Sequence, residues 1–177
     1  YGRVERFTVR HADAVIGTGP GLVAQVAAMG RGVQAYHISD IPSSLVDATP
    51  GNVASIKARL RGKEDEILAA YVGSFAVYQG INLLFDSIPV VARANPSIRF
   101  VIIGGTPDEI AARQLQMKAV GCQDSVTFVG KVPPDELPDY LASSDILLSP
   151  RLAGVNTPLK LLDYMKAGGA IVATDTD

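Results

Sequence analysis

Short apolar runs recur along almost the whole chain, at 14–16, 33–38, 67–72, 98–103, 126–129, 146–148 and 171–173. They are rich in Val and Ile and most are closed by Gly or Ser, which is how strands buried on both faces of a parallel sheet read. Between them, apolar positions fall at helical spacing over 22–29, 81–94, 108–120, 135–143 and 158–166. Strand and helix in alternation need crossover connections, which are right-handed. The pattern therefore predicts an α/β fold with a doubly wound, Rossmann-like parallel sheet. One stretch breaks the alternation. Residues 41–63 open with Pro42-Ser43-Ser44, pass Thr49-Pro50-Gly51 and continue as a helix-like segment over 53–60. Turn-forming residues at its start predict a linker. The chain thus divides into a trailing βαβ unit with its link, residues 1–45, and a five-stranded sheet within 46–177. A lone βαβ unit buries little apolar surface, so the first part reads as the remnant of a larger sheet.

Composition then narrows the functional classes. Hydrophobic residues make up 47% of the 177 and charged ones 19%, which excludes a disordered chain. Sixteen Lys and Arg against eighteen Asp and Glu leave a net charge of -2, without the clustered basic excess of a nucleic-acid surface. Lys57, Arg59, Arg61 and Lys63 are followed directly by Glu64, Asp65 and Glu66, so they read as a solvated helix end rather than a lipid-binding patch. The single cysteine, Cys122, has no disulfide partner, and with two His it builds no zinc site. It reads as a packed or partly exposed thiol rather than a nucleophile, and His11 and His37 lack triad partners at recognisable spacing. No metal-ligand set follows from spacing. No run approaches the roughly eighteen apolar residues of a membrane span. The opening YGRVERFTVRHADAV has no signal-peptide core and reads as cut from a longer chain, so a cytoplasmic, globular piece is expected.

In open sheets of this kind, ligands sit outside the carboxyl ends of the strands, at the point where strand order reverses. Those ends carry Gly17-Thr18-Gly19, Gly73-Ser74-Phe75, Gly104-Gly105, Gly130-Lys131-Val132 and Ser149-Pro150-Arg151. Glycine there lets backbone approach a ligand or simply turns the chain. The most informative stretch is PRLAGVNTPLKLLDYMKAGGAIVA, beginning at Pro150. A loop through Asn156 and Thr157 leads into a helix with Pro158 suited to its first turn. Free N–H groups and the dipole at such a start favour a phosphate. Lys160 in the first turn is poorly placed for dipole stability but well placed for an anion. Asp163 can accept hydrogen bonds from two vicinal hydroxyls. An ordinary capped helix with Lys160 and Asp163 solvated at i and i+3 is the competing reading.

The segments YVGSFAVYQGINLLFDSIPVV, RFVIIGG, VTFVGKVPPDELPDYLASSDILLSP and NTPLKLLDYMKAGGAIVATD occur in that order. From about Leu68 onward the chain resembles the nucleotide-sugar-binding C-terminal domain of the family 4 glycosyltransferases, retaining enzymes of the GT-B architecture. Residues 1–45 look like the end of that family's N-terminal domain. The resemblance implies transfer of a sugar from a nucleotide-sugar donor, with retention at the anomeric carbon and without a metal or other cofactor. Carried over by position, it places Gly73, Ser74, Gln79 and Gly80 in the loop facing the diphosphate, and Lys131-Val132 at the nucleobase. Asn156, Thr157, Pro158 and Leu159 fall in the phosphate-binding loop, and Asp163 on the ribose-binding second acid of an E-x7-E motif. Lys160 and Arg151 are the groups expected to stabilise the leaving diphosphate. The resemblance also implies an acceptor, a sugar or a lipid-linked molecule, in the parent protein, with peripheral membrane association as an expectation for the lipid-linked case.

Two departures bear on activity. Val155 stands where the motif's first acid would be, and Ser74 and Gln79 stand where the family carries a basic pair. Two lost charge-assisted contacts cost about 3–6 kcal/mol of diphosphate affinity. Arg151 and Lys160 are the expected replacements; the alternatives are charge supplied by the family's N-terminal domain, or a donor-binding domain without catalysis. A third reading comes from Gly17-Thr18-Gly19-Pro20-Gly21, with Asp40 further on, which approaches the fingerprint of an NAD-dependent oxidoreductase. Leu22 replaces the glycine that pattern needs and Pro20 lacks a backbone donor, so a tight structural turn is expected.

Overall fold

The computed structural model describes residues 2–29, 32–153 and 158–175. It separates into two compact units, one formed mainly by Tyr1–Ile41 and the other by Pro42–Ala153 and Lys160–Asp177. The smaller unit holds α1 (Gly2–Arg10), β1 (Ala14–Gly17), α2 (Pro20–Met29) and β2 (Gln34–His37). Its strands pair in parallel from Ala14↔Gln34 to Gly17↔His37, so the predicted βαβ unit is present. Helix α1 was not foreseen.

The larger unit begins at Pro42, ahead of the division after residue 45 drawn from the sequence. It contains α3 (Pro50–Leu60), β3 (Ile67–Val72), α4 (Ile81–Ala94), β4 (Ile98–Ile103), α5 (Pro107–Ala119), β5 (Val126–Gly130), α6 (Leu137–Ala142), β6 (Ile146–Ser149), α7 (Leu159–Ala167) and β7 (Ala170–Ala173). Helix α3 starts earlier than the apolar pattern suggests, because Pro50 supplies a pre-set φ where no N–H is needed and the Thr49 carbonyl accepts the Val53 N–H at 3.0 Å. The five strands are parallel in the order β5-β4-β3-β6-β7. Strand order reverses between β3 and β6, and open sheets of this kind take ligands outside the carboxyl ends of the strands at such a point.

Side-chain alternation along the strands feeds two separate cores. Ala69, Tyr71, Phe100 and Ile102 pack with Ile81, Leu84, Phe85 and Ile88 of α4 and Met117 of α5. Leu68, Ala70, Val101, Ile103 and Leu147 pack on the other side with Leu60 of α3, Tyr140 and Leu141 of α6 and Tyr164 of α7. Both faces of the central strands are therefore buried, which explains their unbroken apolar runs. Tyr164, fully buried on α7, adds a stitch between strands: its hydroxyl accepts from the Val72 N–H at 3.1 Å and donates to the Leu148 carbonyl at 3.1 Å.

The basic string at the end of α3 divides: Arg59 and Lys63 are exposed, as expected of a solvated helix end, but three of its four members also have partners. Lys57 and Arg61 pair with Asp145 at 2.7 and 3.3 Å, and Arg59 donates to the Tyr140 hydroxyl at 2.8 Å. Burial pushes the Asp145 carboxyl up, but hydrogen bonds from Lys57, the Leu68 N–H and Arg61 outweigh it and hold the group below its ordinary range. Glu66, also buried, is gripped by Arg99 at 2.6 and 2.9 Å and by the Gly62 N–H at 2.7 Å. These contacts, led by the Arg99 hydrogen bond, bring its pKa down to about 2. Among the described residues no helix is long and apolar enough to cross a membrane.

Candidate functional site

The carboxyl ends of β3, β4 and β6 meet because glycine stands where no side chain fits. The Gly73 N–H donates to the Ile103 carbonyl at 3.0 Å and the Gly104 N–H to the Gly130 carbonyl at 2.7 Å, which carries the ladder past the strand ends. A β-carbon on Gly104 would lie 2.1 Å from the Gly73 carbonyl oxygen. Gly80 has φ 74°, and a β-carbon there would lie 1.6 Å from the carbonyl oxygen of Pro150. The loop after β3 thereby lies against the end of β6, where the Leu152 N–H donates to the Tyr78 carbonyl at 3.0 Å. Sequence reading assigned Gly80 to a ligand; its first duty is to let two loops touch.

Lys160, in the first turn of α7, reaches over Gly73. Its Nζ lies 3.0 Å from the point a β-carbon on Gly73 would occupy and 4.5 Å from the centre of the Tyr71 ring. The Nζ is shielded from solvent and has no hydrogen-bond partner among the described residues. Burial lowers its pKa to about 8, and the positive charge of Arg151 acts in the same direction. Arg151 donates from Nε to the Ala153 carbonyl at 2.7 Å. A desolvated ammonium whose donors are unspent among the described residues, beside a second cation, has the charge and the N–H groups that an anion would satisfy.

One turn further, Asp163 is nearly buried, and its carboxylate is already engaged. The Ser43 N–H donates to Oδ1 at 2.6 Å and the Ser43 hydroxyl to Oδ2 at 2.7 Å. Lys166 donates to the carbonyls of Ser44 and Val46 at 3.2 and 2.6 Å. Asp139 of α6 accepts from the Thr49 N–H at 2.7 Å and from Asn52 at 2.8 Å. The segment from Ser43 to Asn52 is therefore tied to α6 and α7 by three charged side chains. The carboxylate expected to wait for ribose hydroxyls instead holds a serine.

The remaining expected residues divide. Ser74 is exposed and its carbonyl accepts the Tyr71 hydroxyl at 2.7 Å. Gln79 is half-buried, with its Oε1 unpaired among the described residues. Lys131 is exposed at the end of β5, while Val132 packs on the α6 side of the sheet. Pro158 precedes α7 and Leu159 opens it. Asn156 and Thr157, with the neutral Val155, lie outside the described residues. In the smaller unit, a β-carbon on Gly17 would lie 2.9 Å from a methyl of Val23 on α2, so this glycine lets β1 and α2 pack closely, a structural role of the kind expected for the turn. Cys122 is buried, the packed one of the two settings expected for it. Sequence reasoning missed Ser43 and Tyr71. Ser43 left no signal; Tyr71 left a weak one, a polar tip inside a strand otherwise filled by Ile, Leu, Ala and Val.

Residues 66–177 match the family model described as Glycosyl transferases group 1. Among curated proteins, the chain is 28% identical over 152 residues to 2-deoxystreptamine glucosyltransferase of Streptomyces kanamyceticus, covering 83% of this chain and 39% of that protein. It is 27% identical over 99 residues to phosphatidyl-myo-inositol mannosyltransferase of Mycobacterium leprae, covering 56% of this chain and 25% of that protein. The chain thus spans well under half the length of these relatives. Among solved structures, HepE of Anabaena, crystallised with UDP and glucose, superposes with a TM-score of 0.79 at 18% identity, covering 97% of this chain and 47% of that one.

Proposed function

The chain belongs to the group 1 glycosyl transferases, and from that premise we propose that it is the donor-binding part of an enzyme that moves a sugar from a nucleotide-sugar to an acceptor, with retention at the anomeric carbon. The observation that carries this reading is the Lys160 ammonium, buried and without a hydrogen-bond partner among the described residues at the carboxyl ends of β3 and β6. Burying a cation without an acceptor is costly, and a diphosphate supplies the acceptor. Lys160 and Arg151 replace, from the α7 side, the basic pair missing at Ser74 and Gln79. Backbone amides at the start of α7 and beside Gly73 meet the remaining oxygens, so the charge is balanced without a metal. The ribose hydroxyls reach Asp163 by exchanging with Ser43, and the base lies toward Lys131 and Val132. The acceptor, a sugar or lipid-linked molecule, is bound by the rest of the longer protein at the inner face of the membrane.

The test is calorimetric titration of this chain with UDP, GDP, ADP and NAD, repeated with Lys160→Met. One nucleoside diphosphate is expected to bind, and the variant to lose about ten- to a hundredfold in affinity, as for a charge-assisted phosphate contact. Binding of NAD alone, or nucleotide binding indifferent to Lys160, would overturn the assignment.

A further inference from the structure

We infer that Tyr71 is a positioning residue for phosphate recognition: its ring holds the Lys160 ammonium over the strand ends while leaving the ammonium's N–H donors for the anion. The inference rests on the reading that Lys160 meets the diphosphate, and it identifies what keeps that lysine in place before a ligand arrives.

Buried lysines are usually held by a carboxylate, which takes up their donors and cancels their charge. Lys160 has no such partner among the described residues, and the charge acting on it, Arg151, is of the same sign. Left to itself, a four-carbon side chain in that setting would swing its charge out to water. The Tyr71 ring lies 4.5 Å from Nζ and attracts the cation through its negative face without accepting a conventional hydrogen bond. The ring itself cannot move. Tyr71 is 0% exposed, is paired with Ile102 on one side and Leu148 on the other, and donates its hydroxyl to Ser74 in the following loop. Gly73 completes the arrangement, since a β-carbon there would lie 2.9 Å from the Tyr71 hydroxyl and 3.0 Å from Nζ, in the path of the ammonium. A Leu or Val at 71 would fill the strand position and leave the lysine unheld.

The experiment measures the affinity of the full 177-residue chain for inorganic pyrophosphate at pH 7. The proteins are wild type, Tyr71→Phe, Tyr71→Leu, Lys160→Met and the Tyr71→Leu/Lys160→Met double variant. Tyr71→Leu is expected to weaken binding by about three- to thirtyfold, the range of a desolvated cation–π contact, and Tyr71→Phe by less than about twofold. In the Lys160→Met background, Tyr71→Leu is expected to change nothing. Equal losses in both backgrounds overturn the proposal, because Tyr71 would then act through the fold at large. Unchanged binding by Lys160→Met overturns the reading beneath it, and the proposal with it. The contact has a check that needs no variant to fold: the ring is expected to displace the Lys160 ε-methylene protons upfield in the NMR spectrum of the wild type. Random-coil positions for those protons overturn the proposal directly.

Discussion

Lys160 carries opposite consequences for binding and for stability. With its pKa near 8, the ammonium is charged at pH 7 and loses its proton within reach of ordinary buffers. The ratio of wild-type to Lys160→Met pyrophosphate affinity, in which the ligand's own ionisation cancels, is expected to be steady below that value and to fall about tenfold per unit above it; calorimetry on both proteins from pH 6.5 to 9.5 checks it. Folding responds the other way. The unfolded chain, with an ordinary lysine, holds more protons than the folded one between about 8 and 10.5, so stability contributed at this position rises with pH across that window. Below pH 8 the buried charge is a standing penalty. Thermal melts at pH 7 are therefore expected to show Lys160→Met melting higher than wild type while binding less, a trade common at sites built for ligands. The pairing of Lys160 with Tyr71 was not legible in the sequence. A tyrosine in a buried strand and a lysine 89 positions later have no local pattern in common.

Among the elements, α7 faces two ways. Lys160 points over the strand ends, whereas Asp163 and Lys166 grip the stretch from Ser43 to Asp47. If nucleotide hydroxyls and Ser43 compete for one carboxylate, weakening the serine helps the nucleotide. Ser43→Ala removes one of two donors, and is expected to tighten nucleoside diphosphate binding several-fold while leaving inorganic pyrophosphate, which has no ribose, unchanged. Parallel titrations with both ligands decide this; looser nucleotide binding would mean that Ser43 supports the site. Asp163→Ala is a poorer probe, because it frees the linker as well. The strands and most helices were legible because both faces of the central sheet are buried and the runs stand out, with 81–94 realised to the residue as α4. Helix α1 was not, since GRVERFTVR mixes β-branched and charged residues and buries only Val9. The grip on Ser43 lay beyond reading for another reason: its partner is 120 residues away.

Across the whole larger unit, the loop before β3 and the loop before β6 are fastened by Glu66 and Asp145. Both carboxyls lie below their ordinary range, so the stability they lend is present at neutral pH and is lost on acidification. For Glu66 the loss runs from about pH 4.5 down through about 2. Glu66→Gln leaves Arg99 partly buried without its counter-charge and is expected to cost about 3 kcal/mol at pH 7. The variant should also flatten the acid limb of the curve. Urea melts between pH 2 and 7 measure both. The group 1 family was legible at this scale because four segments kept their order. What the loops do to one another, as at Gly80 and Pro150, was not, because close approach of backbone leaves only a glycine to be seen.

The Tyr164 stitch has a consequence for how the chain would appear to deuterium. The Val72 amide, at the switch between β3 and β6, is capped by a phenol reaching up from a helix. Its isotope exchange is then governed by the departure of α7 from the sheet, whereas the Ala70 and Tyr71 amides beside it wait for the strands to part. In Tyr164→Phe, Val72 should exchange early and its neighbours late. One peptide would thus time the release of a helix against the opening of a sheet.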